Sequence, residues 1–267
     1  MKKQLDLSSA ALHILAMGLM LCDHLWATVI PGNDWLTCLG RLAFPIFAFL
    51  IVEGYFHTRN LKKYALRLLL LAVLSEIPFN LMYSSRLFNP FHQNVIWTLL
   101  MGLLGIHLNE LARRSPRRWL RIVTPVLTVL LGVLLGTVAF VDYNGAGVLT
   151  VLVFYFFRKR KWWCLLMQLA ALYYLNAEVL SGLYYDITLF GHHFELVRQS
   201  LAVLALVPIW LYRGRQGCHS RLFRTACYGF YPIHMLILYG IRLIFLLLTK
   251  SLTEKSVRLF ILIGDGR

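Results

Sequence analysis

The sequence places ionisable side chains inside long apolar runs, where charges are costly. Asp23 and His24 lie late in the first run, Arg41 early in the second, and Glu76 in the third. A charged residue inside a membrane-spanning segment costs at least about 2.5 kcal/mol on insertion scales, so it is a functional candidate by default. Histidine is the side chain best suited to carry protons near neutral pH, so the sequence makes His24 a candidate general base.

These residues are predicted to share one depth. The first run goes outward and the second returns after the short turn 31–34, so the two are antiparallel neighbours. At 1.5 Å per residue, His24 and Arg41 both lie roughly 10 Å from the outer end. Polar residues of later runs are expected in this outer layer or capping it: Glu76, Asn80, Asn94, Asp142 and Tyr143.

A second polar group is predicted lower, lining the cytoplasmic half of any central passage. It consists of Glu53, His57, Arg67, Tyr231 and His234. A structural ion pair between Arg67 and Glu53 is an equally good interpretation of two of them. Residue chemistry alone therefore leaves two functions open, a proton-coupled transporter and an intramembrane enzyme.

Composition defines the class of protein that must position these residues. Of 267 residues, 59% are hydrophobic and 15% charged, and the mean hydropathy is +0.65. A soluble domain of this size cannot hide so much apolar surface behind so few charges. The composition predicts an all-α, polytopic membrane helical bundle, with residues 1–267 forming a single membrane domain.

About nine transmembrane helices are predicted, because a span needs about 20 mainly apolar residues. The sixth run is short, and the chain between 181 and 195 has no clear assignment. The predicted spans are 9–30, 35–56, 64–83, 95–112, 122–140, 146–158, 162–181, 195–212 and 226–249.

Charge in the loops predicts the orientation. Lysines and arginines fall in alternate segments, beginning with Lys2 and Lys3, whereas the opposing loops carry Arg86 and Arg198. Cytoplasmic loops are enriched in basic residues, so the N-terminus is predicted to be cytoplasmic. The net charge of +15 is explained in the same way, by topology and anionic lipid headgroups. Membrane lipids, and no nucleic acid, are therefore expected partners.

A metal site is not expected. The five cysteines form no CxxC pair and lie mostly inside or beside spans, where they serve as small apolar residues. The neighbouring His192 and His193 are predicted to lie in a solvated outer loop.

Several motifs together resemble the TraX family. Asp23-His24 is followed by Gly40-Arg41 and the apolar run to Gly54, and by the segments 57–60 and 75–81. The resemblance is dense over residues 8–83. Farther on it rests on Asp142-Tyr143-Asn144-Gly145-Ala146-Gly147-Val148 and on Phe230-Tyr231-Pro232-Ile233-His234.

The resemblance implies a membrane acetyltransferase of the bacterial inner membrane that uses acetyl-CoA and no metal. Its family precedent is N-acetylation of pilin. An exported peptide, pilin or a glycan would be the acceptor. His13 stands where many membrane acyltransferases carry a permanent cation, ten positions before His24.

The implied roles divide the candidates into three groups. His24, oriented by Asp23, is the expected base, with Arg41 stabilising the oxyanion or holding the acceptor and Glu76 orienting or relaying. Direct transfer and transfer through an acetyl-histidine are both open. The expected acyl-donor site comprises Arg59, Lys62, Lys63, Arg67, His57, Tyr231 and His234, with Arg224 as a further candidate. The expected acceptor site comprises Asn80, Asn94, Asp142 and Tyr143.

Two other classes remain as alternatives. A transporter or flippase of a small polar or lipid-linked solute would move its substrate unchanged and would favour internal repeats. A structural subunit of a secretion or conjugation apparatus would not need ionisable residues concentrated in one layer.

Overall fold

A computed structural model describes residues 6–189, 191–218 and 220–264, and most of them are helical. The α-helices are α1 Ser9–Thr28, α2 Asp34–Gly40, α3 Ala43–His57, α4 Leu61–Ser84, α5 Val95–Arg114, α6 Leu120–Val138, α7 Asn144–Phe156, α8 Trp162–Tyr173, α9 Leu206–Leu211 and α10 Arg221–Gly264. A π-helix, Tyr174–Leu180, continues α8, and a 3₁₀-helix, Arg198–Ala205, leads into α9. Strands β1 Tyr184–Leu189 and β2 His192–Val197 form an antiparallel hairpin.

The all-α membrane bundle is confirmed. In the described part of the chain, seven helical segments are long and apolar enough to cross a membrane. Two shorter apolar segments, Asn144–Phe156 and Arg198–Leu211, coincide with the sixth and eighth predicted spans. At about 20 Å, thirteen helical residues are short for a hydrocarbon core of about 30 Å.

Contacts between loops show that successive helical segments run between two ends of the molecule. At the end where α1 begins, here called the inner end, Leu7 pairs with Tyr212. At the opposite, outer end, Arg198 lies 3.6 Å from Asp34. The basic loops that predict the cytoplasmic side therefore share the inner end. Lys2 and Lys3 lie outside the described residues.

The second predicted span is interrupted. It comprises α2 and α3, and the change comes at Arg41 and Leu42. Pro45 lies in the first turn of α3 and has no N–H to donate to the carbonyl of Arg41. The span predicted over 35–56 is confirmed as the segment Asp34–His57, which consists of two helices that meet at a functional candidate.

The unassigned segment between 181 and 195 contains most of the β-hairpin, and the predicted start of span eight at 195 lies within β2. The hairpin packs against the outer end of the bundle. Tyr185 Oη lies 3.4 Å from Cys38 Sγ, and the Arg198 guanidinium lies 4.9 Å from the Trp26 ring centroid. His192 and His193 are exposed on β2 rather than in a loop.

Glycines allow α6 and α7 to approach closely. A Cβ added at Gly145 would lie 2.6 Å from the Cα of Val133, and one at Gly136 would lie 2.9 Å from the Cα of Gly145. Small residues at helix interfaces let the two backbones approach closely and make extensive van der Waals contact. In a membrane this contact drives helix association, because lipid tails are as apolar as the helices and the hydrophobic effect therefore contributes little. Gly145, in the segment that follows Asp142, therefore lets α7 pack against α6.

We expect Gly145→Ala to lower the free energy of unfolding by about 1–3 kcal/mol, because the added methyl group overlaps backbone that cannot rotate away. The measurement is reversible unfolding of purified protein in detergent. Gly18→Ala in α1 is the matched control, since a Cβ there meets nothing within 4 Å. Equal effects of the two substitutions would contradict the close approach.

Candidate functional site

One cavity connects the inner end with the predicted outer layer. Its volume is about 640 Å³, within the range of small-molecule sites. Cationic side chains line its inner part, including Arg59, Lys63 and Arg67, and apolar side chains such as Met20 and Leu50 line its middle. The residues that line the outer part are His24, Asp23, Tyr83, Asp142, Tyr143 and Tyr231.

His24 pairs with His234. Nδ1 of His24 lies 2.7 Å from Nε2 of His234, and the two rings are nearly coplanar, with an interplanar angle of 7°. Both residues are buried. Tyr231 and His234 were predicted lower, in the cytoplasmic half, because their helix was expected to begin at 226. The helix begins earlier, at Arg221, so His234 lies thirteen residues, or roughly 20 Å, from its inner end. This distance brings His234 to the level of His24.

The hydrogen bonds of this pair determine which nitrogen of His24 is basic. His234 Nδ1 lies 2.7 Å from the carbonyl oxygen of Phe230, which can only accept, so this nitrogen carries the proton. With both rings neutral, Nε2 of His234 accepts and Nδ1 of His24 donates. Nε2 of His24 is then left with a free lone pair, as a general base requires.

Asp23 does not orient His24, contrary to the prediction. Asp23 Oδ1 accepts hydrogen bonds from Arg41 and from Thr37 Oγ1, the latter at 2.7 Å. Gly40 makes this possible, because a Cβ there would overlap the Asp23 side chain. The motif Gly40-Arg41 thus provides a cation for Asp23 and the space to reach it.

Arg41 is held by protein groups on several sides. Besides Asp23, its Nη1 donates to Gln199 Oε1 at 3.0 Å and its Nε to the carbonyl of Thr37 at 3.3 Å. Gln199 Nε2 donates in turn to Asn176 Oδ1 at 2.9 Å. Arg41 is not among the described residues that line the cavity. Its geometry therefore supports Asp23 instead of presenting donors to a ligand.

Glu76, Asn80 and Asn94 form a separate cluster between α4 and α5. Glu76 accepts from Asn94, from Trp97 Nε1 at 3.1 Å and from Asn80 at 3.4 Å. Asn94 also caps α5, through its Oδ1 and the N–H of Ile96. Of the described residues that line the cavity, none belongs to this cluster. These residues were predicted to lie at the same depth as His24, but they face the interface between α4 and α5 and not the cavity. A shared depth is therefore not enough to bring them to His24.

The inner part of the cavity is strongly basic. Arg59, Lys63, Arg67 and Arg224 line it, and none forms an ion pair with a described carboxylate. Lys62 is exposed and, unlike its neighbour Lys63, is not among the described residues that line the cavity.

The proposed ion pair between Arg67 and Glu53 does not form. Glu53 pairs with Arg158, whose Nε lies 2.8 Å from Oε1, while the Arg67 guanidinium lies 5.9 Å from the centroid of the Tyr64 ring. His57 also lines the cavity, with its Nδ1 2.8 Å from the carbonyl of Glu53. Because Arg158 neutralises Glu53, the inner opening keeps its positive charge.

A strained turn brings Asp142 and Tyr143 to the outer part. Tyr143 and Asn144 have φ angles of 61° and 47°, in the left-handed region that non-glycine residues seldom adopt. The Tyr143 ring stacks on Phe44, with centroids 4.1 Å apart. A Cβ at Gly147 would lie 2.8 Å from that of Tyr143, so the glycine leaves room for the ring.

Several residues of the site were not predicted from the sequence. Tyr83 lines the outer part, with its ring centroid 5.9 Å from that of His24. Nothing in the sequence distinguishes this tyrosine from other aromatic residues near span ends. Thr37, Asn176 and Gln199 had a detectable signal, since each is a polar residue in an apolar run.

His92 contacts Asp142 at the outer end. Its Nε2 lies 3.8 Å from Asp142 Oδ1, in the loop between α4 and α5. The Asp142 carboxylate raises the pKa of His92 above its ordinary value of 6.5, against the opposing effect of partial burial. The outer end of the site therefore carries an imidazole that keeps its proton to a higher pH than usual.

The fold and the cavity define a multi-pass membrane protein with a polar site enclosed in its helical bundle. The sequence profile described as "TraX protein" matches residues 8–242, and the chain belongs to this family. It is 28% identical over 252 residues to a protein of Dichelobacter nodosus named "Probable fimbrial assembly protein FimC, serogroup H1". That alignment covers 89% of this chain and 97% of the relative. No solved structure matches the chain.

The pair of His92 and Asp142 should make stability depend on pH. Because the folded-state pKa of His92 is raised, the stabilisation is complete below the unfolded-state pKa and is lost as pH rises through the folded-state value. We expect the unfolding midpoint of wild-type protein to exceed that of His92→Gln by more at about pH 5.5 than at about pH 8.5. His193→Gln on β2 is the control, and a difference independent of pH would contradict the pairing.

Proposed function

We propose that this protein is a membrane-embedded acetyltransferase. It takes acetyl-CoA from the cytoplasm and transfers the acetyl group to an amine or hydroxyl at the outer part of the cavity. The observation that carries the proposal is the cavity itself, which joins the cations of its inner part to the basic nitrogen of His24. A bacterial inner membrane is the proposed location, because acetyl-CoA is cytoplasmic and the basic loops lie at the inner end.

The inner part of the cavity fits the phosphates of an acyl-CoA. Arg59, Lys63, Arg67 and Arg224 are the residues that would hold them, and arginine suits bidentate phosphate contacts. The apolar middle, with Met17, Met20 and Leu50, suits the less polar pantetheine arm. Bound acyl donor supplies a thioester, whose carbonyl carbon is open to nucleophilic attack.

His24 is the proposed base. Its Nε2 removes a proton from the acceptor amine or hydroxyl, and the hydrogen bond to His234 keeps this tautomer and stabilises the imidazolium that forms. His234 thus takes the orienting role that the sequence suggested for Asp23. The carboxylates of Asp23 and Asp142 line the same part of the cavity and would face an acceptor amine.

The fimbrial assembly named for the relative supports an exported protein subunit as one candidate acceptor. Peptide, pilin and glycan acceptors all agree with a site open to amines and hydroxyls. Titration calorimetry of purified protein with acetyl-CoA, with CoA and a free nucleotide as competitors, tests the donor. Absence of saturable binding in folded protein would contradict the proposal and favour a transporter.

We expect His24→Ala to lower the turnover of acetyl transfer by about 100-fold or more, the usual contribution of a general base, while acetyl-CoA binding persists. Turnover is measured with radiolabelled acetyl-CoA and a panel of amine and hydroxyl acceptors. His107→Ala is the control, because His107 pairs with Tyr55 near the inner end of α5, away from the described lining of the cavity. Retained turnover in His24→Ala would exclude His24 as the base.

Charge reversal at two adjacent lysines tests the donor site. We expect Lys63→Glu to raise the KM for acetyl-CoA by about tenfold, because a contact to a charged group contributes about 1.5–3 kcal/mol. Lys62→Glu makes the same charge change one residue away, outside the described lining, and should leave KM within about twofold of wild type. Equal effects would show that general surface charge, not the cavity, attracts the donor.

A further inference from the structure

Among the described residues, four permanent cations line the inner part of the cavity, and they lie at different depths. Lys63 and Arg67 are two and six residues from the start of α4 at Leu61, or roughly 3 Å and 9 Å along the helix. Arg224 is three residues from the start of α10, roughly 5 Å along it, and Arg59 precedes α4. Arg67 is therefore the cation nearest the apolar middle of the cavity.

The depth of Arg67 corresponds to one particular part of an acyl-CoA. Beyond Arg67, the next residues of α4 that line the cavity are the apolar Leu68 and Leu71. In CoA the 3′-phosphate lies on the adenosine, whereas the diphosphate joins the adenosine to the pantetheine arm. A pantetheine arm in the apolar middle brings the diphosphate to the level of Arg67. The cations nearer the inner opening are then left for the 3′-phosphate.

Arg67 is held by an aromatic ring. Its guanidinium carbon lies 5.9 Å from the centroid of the Tyr64 ring, and no carboxylate in the described part of the chain pairs with it. Tyr64 and Arg67 are three residues apart, so they share one face of α4. A cation over the face of an aromatic ring is attracted to the ring without being neutralised. The guanidinium therefore keeps its charge and its N–H donors for a ligand.

Gly54 determines where the Tyr64 ring can lie, and both residues line the inner part of the cavity. A Cβ added at Gly54 on α3 would lie 2.6 Å from the Oη of Tyr64 and 3.0 Å from its Cζ. The phenol thus packs directly on the backbone of α3, in space that a larger residue would occupy. Asn60 fixes the start of α4, because its side chain accepts from the N–H of Lys63 at 2.9 Å. The ring is thereby held between α3 and Arg67.

We propose that Arg67 binds the diphosphate of the acyl-CoA and that Gly54 and Tyr64 are positioning residues that hold Arg67 at this depth. The inference rests on the proposed acetyl transfer and assigns one phosphate group of the donor to one cation. Arginine suits the role because its planar guanidinium can donate two hydrogen bonds to one phosphate. Gly54 thus serves donor binding without touching the donor, through the tyrosine that packs on it.

A double-mutant cycle in the full-length protein tests the positioning, with the affinity for acetyl-CoA measured by calorimetry. We expect Gly54→Ala to raise the Kd and KM for acetyl-CoA about three- to tenfold, the usual worth of a cation–π contact, with kcat within about threefold of wild type. In the Tyr64→Phe background the overlapping Oη is absent, so Gly54→Ala should change the Kd by less than about twofold. Gly18→Ala is the matched control, because a Cβ there meets nothing within 4 Å. Equal weakening by Gly54→Ala in both backgrounds would overturn the positioning roles.

Two donors test the assignment of the diphosphate: acetyl-CoA, and acetyl-dephospho-CoA, which lacks only the 3′-phosphate. Arg67→Ala removes a contact to a charged group, so it should weaken the binding of both donors by a similar factor, about 10- to 100-fold. An effect confined to acetyl-CoA would place Arg67 at the 3′-phosphate and overturn the assignment. Unchanged affinity in Arg67→Ala would overturn this inference alone, whereas wild-type protein that binds neither donor would reject the proposed acetyl transfer as well.

Discussion

The ion pair between Asp23 and Arg41 is the interaction on which the outer part of the bundle depends. Charges within an apolar layer need partners, and here one pair joins α1 to the junction of α2 and α3. Gln199 and Asn176 extend it to the 3₁₀-helix and the π-helix. Three departures from regular α-helix therefore meet at one polar chain. Such departures are common where a backbone must place side chains with precision.

Because Arg41 neutralises Asp23, the two histidines are left to pair with each other. A carboxylate next to His24 would hold the imidazolium as a tight ion pair, whereas His234 offers a neutral acceptor. The free lone pair of His24 then faces a cavity whose inner part is positive and whose middle is apolar. In the proposed function, this order of charge, apolar wall and base corresponds to the order of phosphate, pantetheine arm and thioester in an acyl-CoA.

The motifs that resemble the TraX family are far apart in the chain but converge in space. The segment 142–148 supplies Tyr143 through a left-handed turn, and the segment 230–234 supplies Tyr231 and His234. Glu76 is an exception, because it lies away from the cavity and joins α4 to α5 through asparagine and tryptophan donors. A family motif can therefore contain residues that build the scaffold beside residues that face the ligand.

The sequence by itself determined the class of protein, the approximate span limits and the basic end of the bundle, because hydropathy and loop charge are local properties of the chain. It also singled out His24 and the cations of the inner part, since ionisable residues in or beside apolar runs are conspicuous. Only the tertiary structure decided their partners. His24 and His234 are 210 residues apart, and Glu53 and Arg158 are 105 apart. Depth along a helix limits which residues can meet, but helix packing and rotation choose which of them do.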